Sequence, residues 1–180
     1  MEDKKEFKPD KALIGLLQPG NERKNLEGIE KMKIEGTPDY LPTLIDLAVH
    51  TDSEKVRSEI FNLLNQLKDK QAASFIAEAL SQEKNASIVK QLIEACWQNG
   101  LNYAPHLPVF IYQLIHGADD ISFEAFTVIE NMEYMPGNTT LKEEAAKVEA
   151  HIKNSEGSRQ YFLKETLKIL TNVINQETES

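Results

Sequence analysis

The chain has 180 residues, which suits one domain of ordinary size. Hydrophobic residues make up 41% and charged residues 27%, a globular composition that excludes wholesale disorder. Twenty Lys and Arg against 29 Asp and Glu leave a net charge of −9. That balance disfavours nucleic-acid phosphates and anionic membrane surfaces as partners, since both are held chiefly by basic clusters.

In chain order, residues 1–10 are polar and aperiodic and predict a flexible tail, as do residues 177–180. The apolar run Ala12 to Leu17 is too short for a membrane span or a secretory signal, which predicts a cytoplasmic location. On that ground the sequons at Asn85 and Asn138 are chance matches. From residue 11 to 176 the apolar residues recur at helical spacing. Val56, Ile60, Leu63, Leu64 and Leu67 form one stripe, and Ile88, Val89, Leu92, Ile93, Cys96 and Trp97 form another. No segment alternates with period two, so no sheet is expected.

Punctuation divides the stripes. Thr37-Pro38 opens a helix, and Asp52 or Ser53 is the N-cap of the next. Asn99-Gly100, Gly117, Pro136-Gly137 and Gly157 separate others. Ten helices are predicted, over 11–17, 22–34, 38–50, 53–68, 71–82, 86–99, 104–116, 120–133, 139–153 and 158–175. Short connections predict that neighbours pack as antiparallel hairpins within one all-α domain spanning 11–176.

A self-similarity of about 33 residues runs through the centre. Leu41-Pro42 through Ile45 to His50 returns two periods later as Leu107-Pro108 through Ile111 to His116. The copy between them, around Phe75 and Ile76, is degenerate. Val56, Ile60, Leu63 and Leu64 match Val89, Ile93, Cys96 and Trp97, and the third copy keeps Phe126 and Ile129.

At these residues the chain resembles HEAT repeats, most closely over Tyr40 to Leu67. The resemblance implies a right-handed α-solenoid of antiparallel helix pairs, with its clearest repeats at 38–68, 70–99 and 103–133. Segments 11–34 and 138–176 would flank or cap them. It implies that Pro42 bends a first helix, and that Asp52, Arg57 and Lys90 form a polar ladder that stops where Phe123 takes the matching place. It also implies that second helices line a concave face. Two rows then project from that face, Ser58, Gln91, Glu124 and Asn65, Gln98, Asn131, as candidate contacts for an extended protein or peptide partner. Tetratricopeptide repeats share the period, but their Trp, Leu-Gly and Tyr signature is missing.

Catalytic motifs are not evident. The P-loop, the Rossmann glycine pattern and the nucleophile elbow are all missing from the sequence. Cys96 aligns with Leu63 and reads as a buried structural thiol. His50, His106, His116 and His151 make no metal-ligand spacing, so no metal and no cofactor is expected. His50 and His116 stand at the C-terminal ends of matching helices, where a donor satisfies terminal carbonyls. Asp119 or Asp120 reads as an N-cap, and Glu143-Glu144 as part of a solvated helix. Trp97 reads as core. Tyr103, His106, Tyr112 and Tyr134 cluster in sequence around the third pair, with structural roles favoured over a shared anchor.

The reading is therefore a non-enzymatic interaction scaffold. One alternative is an enzyme or enzyme subunit on the same fold, nearer to the HEAT-like chromophore lyases than to the DNA glycosylases. The other is a self-associating structural subunit.

Overall fold

The computed structural model describes residues 8–178. They form ten α-helices, with no strand among the described residues: α1 Lys11–Leu16, α2 Glu22–Glu35, α3 Leu41–His50, α4 Glu54–Asn65, α5 Ala72–Leu80, α6 Val89–Asn99, α7 Leu107–His116, α8 Asp119–Glu130, α9 Asn138–Ile152 and α10 Gly157–Thr178. None of them is long and apolar enough to cross a membrane.

Local chemistry sets the helix starts. Asp10, Asn21 and Ser53 accept hydrogen bonds from the free N–H groups of Ala12, Lys24 and Val56, which begins α1, α2 and α4. Pro42 and Pro108 lie at the start of α3 and α7, where a missing N–H costs nothing, and not at a mid-helix bend. Each of these helices is preceded by a 3-10 turn, Pro38–Tyr40 or Ala104–His106, where the sequence predicts α-helix. Gly100 closes α6 at φ +65°. An added Cβ would meet nothing within 4 Å there, so the demand for glycine is a matter of backbone conformation alone.

Three boundary expectations are corrected. The N-cap of α8 is Ala118, and Asp119 and Asp120 stand in the first turn. Helix α10 continues to Thr178, through part of the predicted C-terminal tail. Residues 1–7 and 179–180 lie outside the described residues, but Asp10 is tied down. Its N–H donates to the Tyr40 hydroxyl at 2.8 Å.

One buried cluster runs from Leu13 on α1 to Leu170 on α10. Fully enclosed residues such as Leu44, Ile60, Ile93 and Phe110 each contribute roughly 1.5–3 kcal/mol of transfer free energy. Consecutive helices pack as α3 with α4, α5 with α6, α7 with α8 and α9 with α10. The even-numbered helices also form a series, α2 on α4, α4 on α6, α6 on α8 and α8 on α10. On the other side α3 packs on α5 and α7 on α9. Gln113 of α7 links that helix to α5 by donating to the Leu80 carbonyl at 3.2 Å.

Candidate functional site

The expected ladder residues do separate jobs. Arg57 turns back on the end of α3, donating to the Ala48 carbonyl at 3.2 Å and the Thr51 carbonyl at 2.5 Å, and it also pairs with Glu54. Asp52 is exposed and does not touch it. Lys90 alone reaches the next helix pair, with Nζ 3.5 Å from Asp120 and 3.8 Å from Glu94. Phe123, in the matching place on α8, packs on Phe162 of α10 at 5.7 Å between ring centroids.

The residues of the two proposed rows differ in exposure. Ser58 and Gln98 are exposed, and Asn65 is half-buried. Gln91 is half-buried against a small pocket beside Ala48, Arg57 and Ser87. Glu124, expected in solvent, is only 9% exposed. Its partner is Trp97, whose indole reaches across the α6–α8 seam and donates its Nε1–H to Glu124 Oε2 at 3.0 Å. Trp97 itself, expected in the core, is 42% exposed. It stands one residue beyond Cys96 at the edge of the stripe, where the indole covers a neighbour's polar group more readily than it enters a packed interior.

What the structure does assemble is a groove of about 670 Å³ where α4, α6 and α8 end. Trp97 and the 58%-exposed Tyr134 stand on it, with Lys68, Lys70, Asn102, Asn131, Met132 and Glu133. Cys96 and Tyr103 are buried at its base. Burial pushes the Cys96 thiol up to about 12 and raises the Tyr103 phenol as well, so neither ionises near neutrality. Buried Asn99 holds the base together. Its amide nitrogen donates to the Leu64 carbonyl at 3.3 Å and lies 3.1 Å from the Tyr103 hydroxyl, and its Oδ1 accepts from the Leu101 N–H at 3.0 Å. Lys68 donates to the Asn99 carbonyl at 3.2 Å, and Asn131 folds its amide onto the Thr127 carbonyl at 2.8 Å.

Of the six residues proposed from the rows, Asn131 alone lines this groove. A sequence signal for the others exists. Lys68, Leu101 and Tyr134 are spaced one period apart and all line the groove. The groove is lined by the turns that follow α4, α6 and α8.

Electrostatics beside Trp97 are acidic. The Glu94 carboxyl, one turn before it, is held above the ordinary range by burial first and by the charge of Glu124 second. A second groove, of about 750 Å³, lies between the end of α5 and α7, with Tyr112, His116 and Val109 along it. Tyr103 and Tyr134 therefore serve one groove and Tyr112 the other. His106 serves neither: it is half-buried, its Nε2 lies 3.4 Å from Ser74 Oγ, and burial holds its pKa below the usual value.

His50 and His116 are not equivalent in role. His50 Nδ1 lies 2.8 Å from the Asp46 carbonyl at the end of its own helix. The His116 ring sits 4.7 Å from Tyr112 and 5.6 Å from His151, between centroids. Among the described residues no three His, Cys, Asp or Glu groups converge as metal ligands.

Compared with protein-family models, with curated proteins and with solved structures, the chain has no match in any of the three.

Proposed function

We propose that the chain is a protein-interaction module on a HEAT-like solenoid of antiparallel helix pairs, non-enzymatic, that takes an extended peptide segment in the groove at the ends of α4, α6 and α8. The packing series of even-numbered helices supports the solenoid part of this reading, since repeat proteins bury their apolar faces against successive neighbours. The observation that carries the binding part is Trp97. A large aromatic residue left 42% exposed at a groove, with its N–H already fixed on Glu124, has the pre-organised, amphipathic character of a binding anchor. Tyr134 on the same groove and the amides of Asn102 and Asn131 add the polar rim that such sites use.

The test is selection from an unbiased peptide library, followed by fluorescence titration. Trp97 is the sole tryptophan, so its emission reports on the groove directly. Selected peptides are expected to shift that emission, and Trp97→Ala with Tyr134→Ala is expected to weaken their capture at least tenfold. Peptides that bind without touching Trp97 emission, or that bind the double variant equally, would move the site elsewhere.

A second reading has its own observation. Phe123 and Tyr161 are 49% and 58% exposed and gather around Phe162 between α8 and α10. A patch of that kind suits self-association. Sedimentation of wild type beside Tyr161→Glu tests it: a concentration-dependent dimer lost in the variant supports it, and a monomer throughout removes it.

A further inference from the structure

Between Lys90 and Lys142 the sequence has no Lys or Arg, while Glu94, Asp119, Asp120, Glu124, Glu130 and Glu133 all fall there. That acidic stretch also carries Trp97, Tyr112, Phe123 and Tyr134, which are four of the six large hydrophobic residues exposed among the described residues. Bases from outside answer only part of the charge. Lys90 is committed to Asp120 and Glu94, and Arg159 to Asp119 at 3.0 Å. On the groove itself, Lys68 is engaged with the Asn99 carbonyl at the C-terminal end of α6, whose helix dipole offsets it. Lys70 belongs to the turn before α5, whereas Glu133 and Tyr134 belong to the turn after α8.

The indole of Trp97 has a further property. Its N–H donates to a carboxylate, and a hydrogen bond to a full negative charge pushes electron density into the ring. An electron-rich indole face is the best aromatic platform for a cation. Glu124 accepts that hydrogen bond at the edge of the ring, and Glu133 and Tyr134 line the same groove.

We infer that the partner segment is basic: an Arg or Lys side chain seats against Trp97 and Tyr134, with Glu133 facing its charge. This rests on the groove being the binding site, and it adds the chemistry of the ligand. The Lys68 and Lys70 side of the groove fixes direction, because a basic segment runs away from it. Cation–π attraction and charge pairing at a partly exposed site together favour a cationic residue by about tenfold over a neutral one of similar size.

The experiment uses the full chain and three capped eight-residue peptides of alternating Gly and Ser. Each carries two substituted positions, both Arg, both Leu or both Glu. Trp97 emission is titrated with each, for wild type, Glu133→Gln and Tyr134→Ala. The Arg peptide is expected to bind about tenfold or more tightly than the other two, and each variant is expected to lose about three- to tenfold of that affinity. Equal affinity for the Leu or Glu peptide, with Trp97 still responding, would overturn the basic-partner inference while leaving the groove in place. Arg binding that neither variant weakens would overturn it too, as general attraction to a chain of net charge −9. If neither these peptides nor any from the unbiased selection move Trp97 emission, the groove reading falls and takes this inference with it.

Discussion

The ends of α3 and α7 present the same problem and solve it from opposite directions. Both helices start with Leu-Pro, end in His, and leave C-terminal carbonyls to be satisfied. At α3 the donor is local: Arg57, on the helix that follows, reaches the carbonyls of Ala48 and Thr51. At α7 the matching position is Phe123, and the donor arrives from α10. Arg159 donates to the Ile115 carbonyl at 2.9 Å and the Gly117 carbonyl at 2.6 Å and pairs with Asp119. The end of α7, with Phe123 where α4 has Arg57, takes its donor from 42 or 44 residues away. The consequence is mechanical. Arg57 finishes a hairpin, whereas Arg159 fastens the terminal helix to the body of the molecule.

The largest effect is expected at Asn99, between the end of α4 and the turn before α7. Asn99 joins the end of α4, through the Leu64 carbonyl, to the turn that leads into α7, through Tyr103 and the Leu101 N–H. Asn99→Leu keeps the volume and strands those groups in a buried setting, at a cost of about 2–4 kcal/mol. Urea denaturation is expected to show it as a lowered midpoint with an unchanged slope. A lowered slope would mean that the helices on either side of Asn99 no longer unfold together.

Arg159→Ala comes next, at about 2 kcal/mol, from hydrogen bonds between a charged donor and partly buried carbonyls. Amide exchange is expected to quicken across α9 and α10 ahead of the rest. Arg57→Ala is expected to cost about 1 kcal/mol and to quicken exchange only around α3 and α4, since it spans one hairpin. If exchange in the two variants rose in the same segments, the distinction between local and distant fastening would be lost. Placing Phe123→Arg in the Arg159→Ala background sharpens the comparison further. An arginine there stands as far from Gly117 as Arg57 stands from Thr51, and about 1 kcal/mol is expected to return. No recovery would show that the surroundings of Phe162 no longer admit the local solution.

Much of this was legible in the residues. The helices followed from periodicity because the core is one continuous stripe-on-stripe cluster, and Ser53 was readable as a cap because its chemistry is local. The 3-10 turns before α3 and α7 were not, since they share helical spacing and differ only in hydrogen-bond pattern. Arg159 was unreadable for a plainer reason: nothing near it in sequence marks carbonyls more than 40 residues away. The groove is not readable from the periodicity, because periodicity orders helix faces while the groove is made by helix ends. Spacing alone places Trp97 in the core and Glu124 in solvent. In the structure the half-exposed indole donates to the buried carboxylate across the α6–α8 seam, a pairing between helices that spacing within one helix does not mark.

The smallest effect tests the acid pair on that same seam. Glu94 stands where α4 has the half-buried Phe61 and α8 has Thr127, so the N-terminal half has an apolar group at a place where the centre keeps a carboxylate. Burial and the neighbouring charge of Glu124 raise its pKa, so the folded state holds this proton more tightly than the unfolded chain. The contribution to stability is therefore full below the unfolded carboxylate value of about 4.3 and is lost as pH climbs through the raised folded value. Glu94→Gln removes the titration. The variant is expected to melt slightly above wild type at pH 7.5, with the gap closing as pH falls toward 4. The Lys90 pair at 3.8 Å limits the gain, because the variant gives up that attraction. Equal gaps at both pH values would assign the effect to packing. A variant less stable at pH 7.5 would mean that Lys90 outweighs burial, and that the seam is held by the ion pair and not strained by the carboxylate.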